Sequence, residues 1–216
     1  MQVESVNLST PVAIEFNGVK VTTGIYKLPL EGQIEVTVLG LMGDTIVDTK
    51  VHGGLDQAIY IYHQEDYDWW SQQLGLAVAV GMFGENLTLS GCSDVAWVIG
   101  DRLLINDVEL EITAPRTPCF KLAVKMGDKG FIQKFVQANR PGAYARVINV
   151  GSVKAGDTVG VVKTTKNYAS VKAVFDLWHR PEKSLVELEK ALASPIAKVH
   201  KAVLQGWYDD YLKAQS

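Results

Sequence analysis

Residues 98–112 read VIGDRLLINDVELEI. Gly100 and Asp101 indicate a corner, because glycine permits a tight reversal and an aspartate can hydrogen-bond nearby backbone N–H groups. Two short apolar runs follow, and between them stand Asn106 and Asp107, which tolerate the positive φ of a type I′ turn. The stretch therefore predicts a corner that leads into a tight β-hairpin.

The same two signals recur elsewhere in the chain. Gly43-Asp44 and Gly156-Asp157 repeat the corner, and Asn17-Gly18 repeats the hairpin turn between two alternating apolar runs. From residue 12 to about 162 the apolar runs stay short and are cut by Gly, Asn and Asp, which is typical of β-strands. Repeated corners between short strands predict a closed, strongly curved β-barrel.

Two segments inside this β-rich region have helical spacing instead. Residues 64–74 place Tyr67, Trp70 and Leu74 on one face, and Gly75 provides a stop. Residues 131–138 repeat apolar side chains with the same period. We expect each helix to cover part of the barrel, so that the fold class is mainly β with α.

After about residue 165 the pattern changes to three helical periods. Ser170, Ser184 and Ser194 are predicted N-caps, Pro195 would occupy the first helical position, and the third helix would end before Gly206. The sequence thus predicts a barrel domain over residues 1–165 and a three-helix bundle over residues 166–216.

The composition excludes several classes of function. The chain has 216 residues with 21 basic and 24 acidic side chains, for a net charge of −3, which is a poor basis for binding nucleic acid. No apolar run approaches the roughly 20 residues of a membrane span, and no signal for export is evident. Two cysteines are too few for a disulfide framework. We expect a cytoplasmic protein that does not bind membranes.

The strongest candidate for chemistry is Cys119, in the run Pro115-Arg116-Thr117-Pro118-Cys119-Phe120-Lys121. A thiolate is the nucleophile or metal ligand, and neighbouring cations such as Arg116 and Lys121 lower the pKa of a thiol. The alternative is a buried structural cysteine, because free cysteines are often part of the core. Cys92 has no cation beside it and is predicted to be structural.

A second candidate is the loop from Lys50 to Asp56. Gly53 and Gly54 let a backbone approach a ligand and expose N–H donors to an anion. Lys50 and His52 alternate along the chain and can face the same side, and Asp56 can orient a ring nitrogen. The alternative is an ordinary reversal with a flanking histidine.

Two further segments carry polar groups of interest. Gly84 breaks the chain ahead of Glu85 and Asn86, which offer a carboxylate and an amide, either to a ligand or to a structural turn. Arg146 lies among apolar residues, and a buried arginine needs an anionic partner. No spacing typical of a structural zinc site, a dinucleotide fold, a phosphate-binding P-loop or a serine-hydrolase elbow is present.

Taken in order, these segments resemble the motif set of the YiiM-like branch of the MOSC-domain superfamily. The resemblance rests on LGLMGD at 39–44, KVHGGLDQA at 50–58, FGENL at 83–87, Gly100-Asp101 and PRTPCFKL at 115–122, and it extends to the three C-terminal helices. It covers nearly the whole chain.

The resemblance implies a barrel that binds the molybdenum cofactor, molybdopterin, with Cys119 as the ligand of the metal and with His52 as a candidate proton donor. Lys50, His52, Arg116, Lys121 and Arg146 are then candidate charge partners of the anionic cofactor, together with the polar groups of Gly53, Gly54, Asp56, Gly84, Glu85 and Asn86. Enzymatic members of the family reduce N-hydroxylated compounds such as hydroxylamino purines.

The same resemblance implies an external reductase as the electron donor, because two cysteines cannot supply the four protein ligands of an iron–sulfur cluster. Two alternatives remain open at this stage. The chain could carry persulfide sulfur or the cofactor on Cys119 without turnover, or it could retain only the fold.

Overall fold

The computed structural model describes residues 1–45, 53–92 and 96–215. Its described part is a mixed α/β fold with a curled eight-stranded sheet and two smaller sheets. The strands are β1 Gln2–Leu8, β2 Val12–Phe16, β3 Val19–Thr23, β4 Leu28–Pro29, β5 Ile34–Thr37, β6 Gly40–Leu41, β7 Ile59–His63, β8 Leu87–Ser90, β9 Arg102–Ile105, β10 Val108–Ala114, β11 Ala143–Asn149, β12 Gly151–Val153 and β13 Gly160–Val162.

The large sheet has the order β13-β9-β10-β11-β7-β8-β1-β4 and is antiparallel except for the β7–β8 pair. The segment before β13 approaches β1 through an isolated bridge between Gln2 and Thr158, three flanking backbone hydrogen bonds and one hydrogen bond from the Gln2 side chain. The closed barrel expected from the corners is therefore not confirmed. Within the described residues, the sheet is a curled half-barrel whose concave face holds the core.

The two predicted hairpins are present. β2 and β3 pair in the expected register around Asn17 and Gly18, which both have positive φ, at 51° and 77°. The second hairpin joins β9 to β10, but of its two central residues only Asn106 has a positive φ, at 52°. This second turn is therefore not type I′, because that type needs positive φ at both positions.

The predicted corners form, and at two of them the aspartate bonds backwards along the chain. The Asp101 carboxylate accepts a hydrogen bond from the backbone N–H of Val98 at 2.9 Å, and Asp157 accepts one from Lys154 at the same distance. The predicted bond to a nearby N–H group is therefore made with the third preceding residue. The contact with the third preceding residue closes the reversal from the other side and directs the chain into the next strand.

The helices of the described residues agree closely with the predicted segments. They are α1 Gln64–Leu74, α2 Phe120–Lys125, α3 Phe131–Ala138, α4 Val171–His179, α5 Leu185–Leu192 and α6 Lys198–Gln215, and a short 3-10 turn spans Leu55–Gln57. Gly75 ends α1 in the left-handed conformation, as expected. Within the described residues, no helix is long and apolar enough to cross a membrane.

The start and end of α6 differ from the prediction. The helix begins at Lys198, whose N–H donates to the Asp56 carboxylate at 3.0 Å, whereas the Ser194 hydroxyl donates to Ala191 O instead of capping. It also continues through Gly206 to Gln215. A helical glycine costs only about 1 kcal/mol, and Trp207 and Tyr208 pack against the core and offset that cost.

The three C-terminal helices share the core of the sheet. Val174 of α4, Leu188 of α5 and Leu204 of α6 belong to the same buried cluster as the sheet residues Ile61 and Leu110. A separate three-helix bundle is therefore not confirmed, and the boundary at residue 165 stays a prediction. A second buried cluster, mostly aromatic, lies beneath α1 and α3, where Trp70 contacts Phe131 with ring centroids 5.1 Å apart.

Gly206 and Gly142 give opposite predictions for stability. A Cβ at Gly206 would meet no atom within 4 Å, so Gly206→Ala should raise the free energy of unfolding by about 0.5–1 kcal/mol, because alanine loses less backbone entropy. At Gly142, with φ of 62°, a Cβ would lie 2.4 Å from Ile61 O, so Gly142→Ala should destabilise. Urea denaturation measures both, and a loss of stability in Gly206→Ala would contradict the continuous helix.

Candidate functional site

A cleft opens where the β3 end, the 3-10 turn, strands β7 and β11 and the loop before α2 meet. Its volume is about 100 Å³. Six of the residues predicted from the sequence line it, and eight others join them. The lining residues are Thr23, Gly24, Ile25, Lys27, Thr45, Gly53, Gln57, Tyr60, Gly84, Asn86, Arg116, Cys119, Lys121 and Tyr144.

Cys119 occupies the last position of the loop between β10 and α2. Its backbone is extended, and its carbonyl accepts the N–H of Leu122 at 3.0 Å, so it is the N-cap residue of α2. The next ring, Phe120, stacks on Phe16 of the β2–β3 hairpin at 4.4 Å. These contacts fix the thiol in the cleft wall, where it is partly exposed.

Arg116, three residues earlier, is almost fully buried, with 5% of its surface exposed. Its guanidinium lies over the Tyr60 ring at 5.3 Å and over the Phe135 ring at 5.8 Å. Its Nη1 has no hydrogen-bond partner, and none of the described carboxylates forms an ion pair with it. A buried charge without an anion is unusual in a folded protein, and such exceptions are concentrated at functional sites.

The groups around Arg116 limit where negative charge can come from. The pKa of Arg116 is raised above its ordinary value, because the effect of burial, which lowers it, is outweighed by interaction with Tyr60, Tyr144 and Cys119. Burial also raises the pKa values of Tyr60 and Tyr144, so both phenols stay neutral at physiological pH. Two candidates remain for the anion beside Arg116. One is the Cys119 sulfur, and the other is a bound ligand.

The opposite wall of the cleft carries a second cation, which has its own counter-charge. Lys27 forms an ion pair with Asp44, and burial lowers the pKa of Lys27 despite that partner. The Asp44 carboxylate also accepts hydrogen bonds from the Asn86 amide at 2.8 Å and from the Ser9 N–H at 2.9 Å. Asp44, predicted only as a corner residue, therefore organises one side of the cleft.

Two lysines of α2 add to the positive character of the region. Lys121 is buried and lines the cleft. Lys125 donates to Ile25 O and Gly81 O, both at 2.7 Å, and burial lowers its pKa to about 8. Lys125 thereby ties the segment that follows β3 to the loop that precedes β8.

Glu85, a predicted ligand contact, is placed behind the cleft wall and does not line it. It is fully buried and accepts hydrogen bonds from the Tyr67 hydroxyl at 2.6 Å, the Gly81 N–H at 2.7 Å and the Thr88 hydroxyl at 2.8 Å. Burial raises the pKa of Glu85, although these hydrogen bonds lower it. Its contacts hold the loop that presents Gly84 and Asn86 to the cleft.

The structure also places Asp56 and Arg146 away from the cleft. The Asp56 carboxylate receives the Lys198 N–H and forms an ion pair with Arg146 at 3.1 Å. Arg146 also contacts Glu111 at 3.2 Å and donates to Pro195 O at 2.9 Å. Protein groups thus supply the anions that Arg146 was expected to need, and both residues attach the sheet to α6.

The Gly-Gly loop is brought to the cleft in part. Gly53 lines it, with φ of 85°, and Gly54 follows with φ of 76°, so both glycines use the conformation that favours this residue type. Gly54 is not among the lining residues. Lys50 and His52 lie outside the described residues, and their predicted roles stay predictions.

Sequence reasoning missed Lys27, Gln57, Tyr60 and Tyr144 as cleft residues. Tyr60 and Tyr144 face each other on β7 and β11, with ring centroids 5.2 Å apart. Nothing in their local sequence distinguishes them from core tyrosines, because their place in the cleft depends on strand pairing across 84 positions. Lys27 had no local signal either, since its partner Asp44 lies in another loop.

No protein-only metal centre is formed by the described residues, because no group of three His, Cys, Asp or Glu side chains could hold a metal ion together. Among them, a single sulfur in a cleft lined by cations is the available ligand.

Known proteins resemble this chain over most of its length. The family model described as the MOSC domain matches residues 48–160. Protein YflK of Bacillus subtilis, described as uncharacterized, is 30% identical over 209 residues, which cover 97% of this chain and 92% of the relative. Protein YiiM of Escherichia coli is 31% identical over 163 residues, covering 74% and 72% of the two chains.

A protein of Gibberella moniliformis named reductase is 31% identical over 150 residues, which cover 68% of this chain and only 27% of that protein. Among solved structures, YiiM from Geobacillus stearothermophilus superposes with a TM-score of 0.79 at 23% identity, covering 96% and 98% of the two chains. YiiM from Escherichia coli gives 0.74 at 22% identity, with 97% and 94% covered. These structural likenesses support the fold.

The buried carboxyl of Glu85 predicts a pH dependence of stability. Because its pKa is raised in the folded state, Glu85 stabilises the fold most fully below its ordinary pKa of 4.5, and this contribution is lost as the pH rises through the raised value. Glu85→Gln should therefore flatten the decline of the unfolding free energy above pH 4.5. The exposed Glu31→Gln is the control, and an unchanged pH profile in Glu85→Gln would contradict the shift.

The two cysteines should differ in reactivity. Cys92 is buried, and burial raises its pKa to about 12, whereas Cys119 lines the cleft beside Arg116. Iodoacetamide near neutral pH should therefore modify Cys119 in the native protein and Cys92 only after unfolding, because the thiolate is the reacting form. Peptide mass spectrometry measures both sites, and equal protection of the two thiols would contradict this assignment.

Proposed function

Because this chain belongs to the MOSC domain family and is YiiM-like within it, we propose that it binds the molybdenum cofactor and reduces N-hydroxylated compounds, with hydroxylamino purines as the substrate class. The observation that carries the proposal is the buried Arg116 guanidinium, which pairs with no carboxylate of the described residues and shares a cleft with the Cys119 thiol. The fungal relative named reductase supports the choice of redox chemistry.

The donor set of the cleft fits an anionic, metal-bearing cofactor. Arg116 Nη1 has no hydrogen-bond partner, and Lys121 and Gly53 also line the cleft. A volume of about 100 Å³ is below the roughly 300–1,000 Å³ of pockets that enclose a whole ligand. The described cleft would therefore take the metal-bearing end of the cofactor.

Cys119 would hold the molybdenum. Its sulfur is a soft ligand, which suits a thiophilic metal, and the neighbouring guanidinium favours the thiolate over the thiol. Pro118 and the start of α2 restrict the backbone on either side, so the sulfur is presented from a stiff loop. The cationic residues would compensate the charge of the thiolate and of the cofactor together.

When bound, the cofactor supplies a metal that accepts oxygen and passes electrons, which is the part of the reaction that protein side chains cannot perform. The overall reaction breaks the N–O bond and consumes two electrons and two protons, and it yields an amine and water. The electrons would come from an external reductase. The chain itself would orient the base, exclude water and donate protons.

Two groups are candidates for the proton donor. His52 was identified from the sequence, and its role is a proposal. Of the described residues, Lys27 lines the cleft, and burial lowers the pKa of its ammonium group, which makes it a better acid than an exposed lysine. Asp44, which pairs with Lys27 and raises its pKa, would favour uptake of a proton from solvent after each transfer.

Expression in a host that makes the cofactor tests this function. Wild-type protein should purify with molybdenum in a near one-to-one ratio and reduce 6-N-hydroxylaminopurine with an artificial electron donor. Cys119→Ala should lose the metal and the activity, because the sulfur ligand is gone. Cys92→Ala is the matched control and should retain both, since Cys92 is buried beside Met1 and away from the cleft.

The same preparation separates the alternatives left open by the sequence. If mass spectrometry of the intact protein finds persulfide on Cys119 and no molybdenum is bound, the chain is a sulfur carrier and not a reductase. Molybdenum without any reduction of N-hydroxylated bases would leave a cofactor carrier. If the purified protein carries neither molybdenum nor persulfide, the proposed function is wrong and the chain retains only the fold.

A further inference from the structure

Gln57 is the last residue of the 3-10 turn that follows the Gly-Gly loop, and the chemistry proposed above makes no use of it. Only 3% of its surface is exposed, yet it is one of the residues that line the cleft. A neutral amide in this position differs from its charged neighbours Arg116, Lys27 and Lys121, because it can offer an acceptor as well as a donor.

One end of the Gln57 amide is held by the C-terminal part of the chain. Its Nε2 lies 3.2 Å from Nδ1 of His200, which belongs to α6 and is itself buried. The His200 ring packs against Trp178 of α4 with centroids 5.0 Å apart. The contact joins residues 143 positions apart, so the orientation of the amide is set by the C-terminal helices.

The other end of the amide, Oε1, is buried and has no hydrogen-bond partner. An unsatisfied buried acceptor destabilises the fold, so native proteins retain few of them. Among the described residues that line the cleft, Gln57 Oε1 is the only buried side-chain acceptor left without a partner, and Arg116 Nη1 is the only such donor.

The turn that carries Gln57 is also fixed, so the amide cannot find a partner by moving the backbone. Its neighbour Asp56 caps α6 through the Lys198 N–H and forms an ion pair with Arg146, and the Thr113 hydroxyl donates to Asp56 O at 2.6 Å. The arrangement holds an unsatisfied acceptor at the cleft wall. Because Gln57 lines the cleft, a group bound in the cleft is the candidate partner of this acceptor.

We propose that Gln57 Oε1 accepts a hydrogen bond from an exocyclic N–H or O–H group of a nitrogen heterocycle bound in the cleft, and that His200 is the positioning residue that fixes this amide. The heterocycle is the N-hydroxylated base or the pterin of the cofactor, which present the same kind of donor, so this inference rests on the proposed function. It gives the C-terminal helices a role in ligand recognition.

The experiment compares Gln57→Met with wild type and with Gln73→Met, the same change at an exposed position of α1. One arm measures the Kd of 6-N-hydroxylaminopurine and of purine, which lacks the exocyclic donors, by calorimetry. The other arm measures molybdenum and pterin retained per protein after gel filtration. Gln57→Met should lower either the affinity ratio of the two bases or the retained cofactor by about two- to tenfold, the range of one neutral hydrogen bond.

If the affinity ratio of the two bases falls, the hydrogen-bond donor belongs to the substrate. If the amount of retained cofactor falls, the donor belongs to the pterin. If Gln57→Met matches Gln73→Met in both arms, or if wild type binds neither ligand, the inference is overturned. The proposed function is judged separately, on molybdenum content and reduction by the wild-type protein, and base binding is measurable even without the metal.

His200 variants test the positioning role. His200→Leu removes the ring nitrogen near Gln57 and should shift whichever arm Gln57→Met shifts, in the same direction and by a smaller factor. His200→Asn keeps a polar atom near that place and should restore most of the effect. A fall in melting temperature in His200→Leu with an unchanged base ratio and unchanged cofactor retention would show a structural role only and would overturn the positioning assignment.

Discussion

A guanidinium kept from water between two aromatic rings, with no carboxylate among the described residues to balance it, is the constraint on which the site depends. Arg116 cannot lose its proton at physiological pH, so its charge has to be met by an anion. Its tyrosine neighbours stay neutral, which leaves the Cys119 sulfur and a bound ligand. The same charge that requires an anion also favours the thiolate, so the two halves of the proposed site stabilise each other.

The rest of the fold brings separate segments to this charge. Pairing of β7 with β11 places Tyr60 beside Tyr144, and the Glu85 hydrogen bonds hold the loop that carries Gly84. Asp44 keeps Lys27 at the opposite wall. The C-terminal helix α6 contacts the 3-10 turn before β7, through Lys198 to Asp56 and through His200 to Gln57, and so fixes the cleft wall that Gln57 lines. Sheet, loops and terminal helices therefore act as one unit around the cleft, which agrees with the buried cluster that the sheet and the terminal helices share.

Local signals in the sequence predicted the local structure well. The stop at Gly75 and the hairpin at Asn17-Gly18 depend on residues within one turn of each other, and the motif around Cys119 lies within seven positions. Features set by distant contacts were missed: Asp56 caps a helix 142 positions away, and Arg146 finds its anions inside the protein. Closure of the sheet also depends on the distance between edge strands, which short-range patterns do not encode.

The central claim is that the Cys119 sulfur coordinates the metal of a cofactor held by the Arg116 charge. X-ray absorption at the molybdenum K-edge measures this directly on protein purified from a host that makes the cofactor. In Cys119→Ser, which keeps a ligand of similar size, one sulfur neighbour of the metal should be replaced by an oxygen. The same number of sulfur neighbours in wild type and Cys119→Ser would contradict coordination of the metal by Cys119.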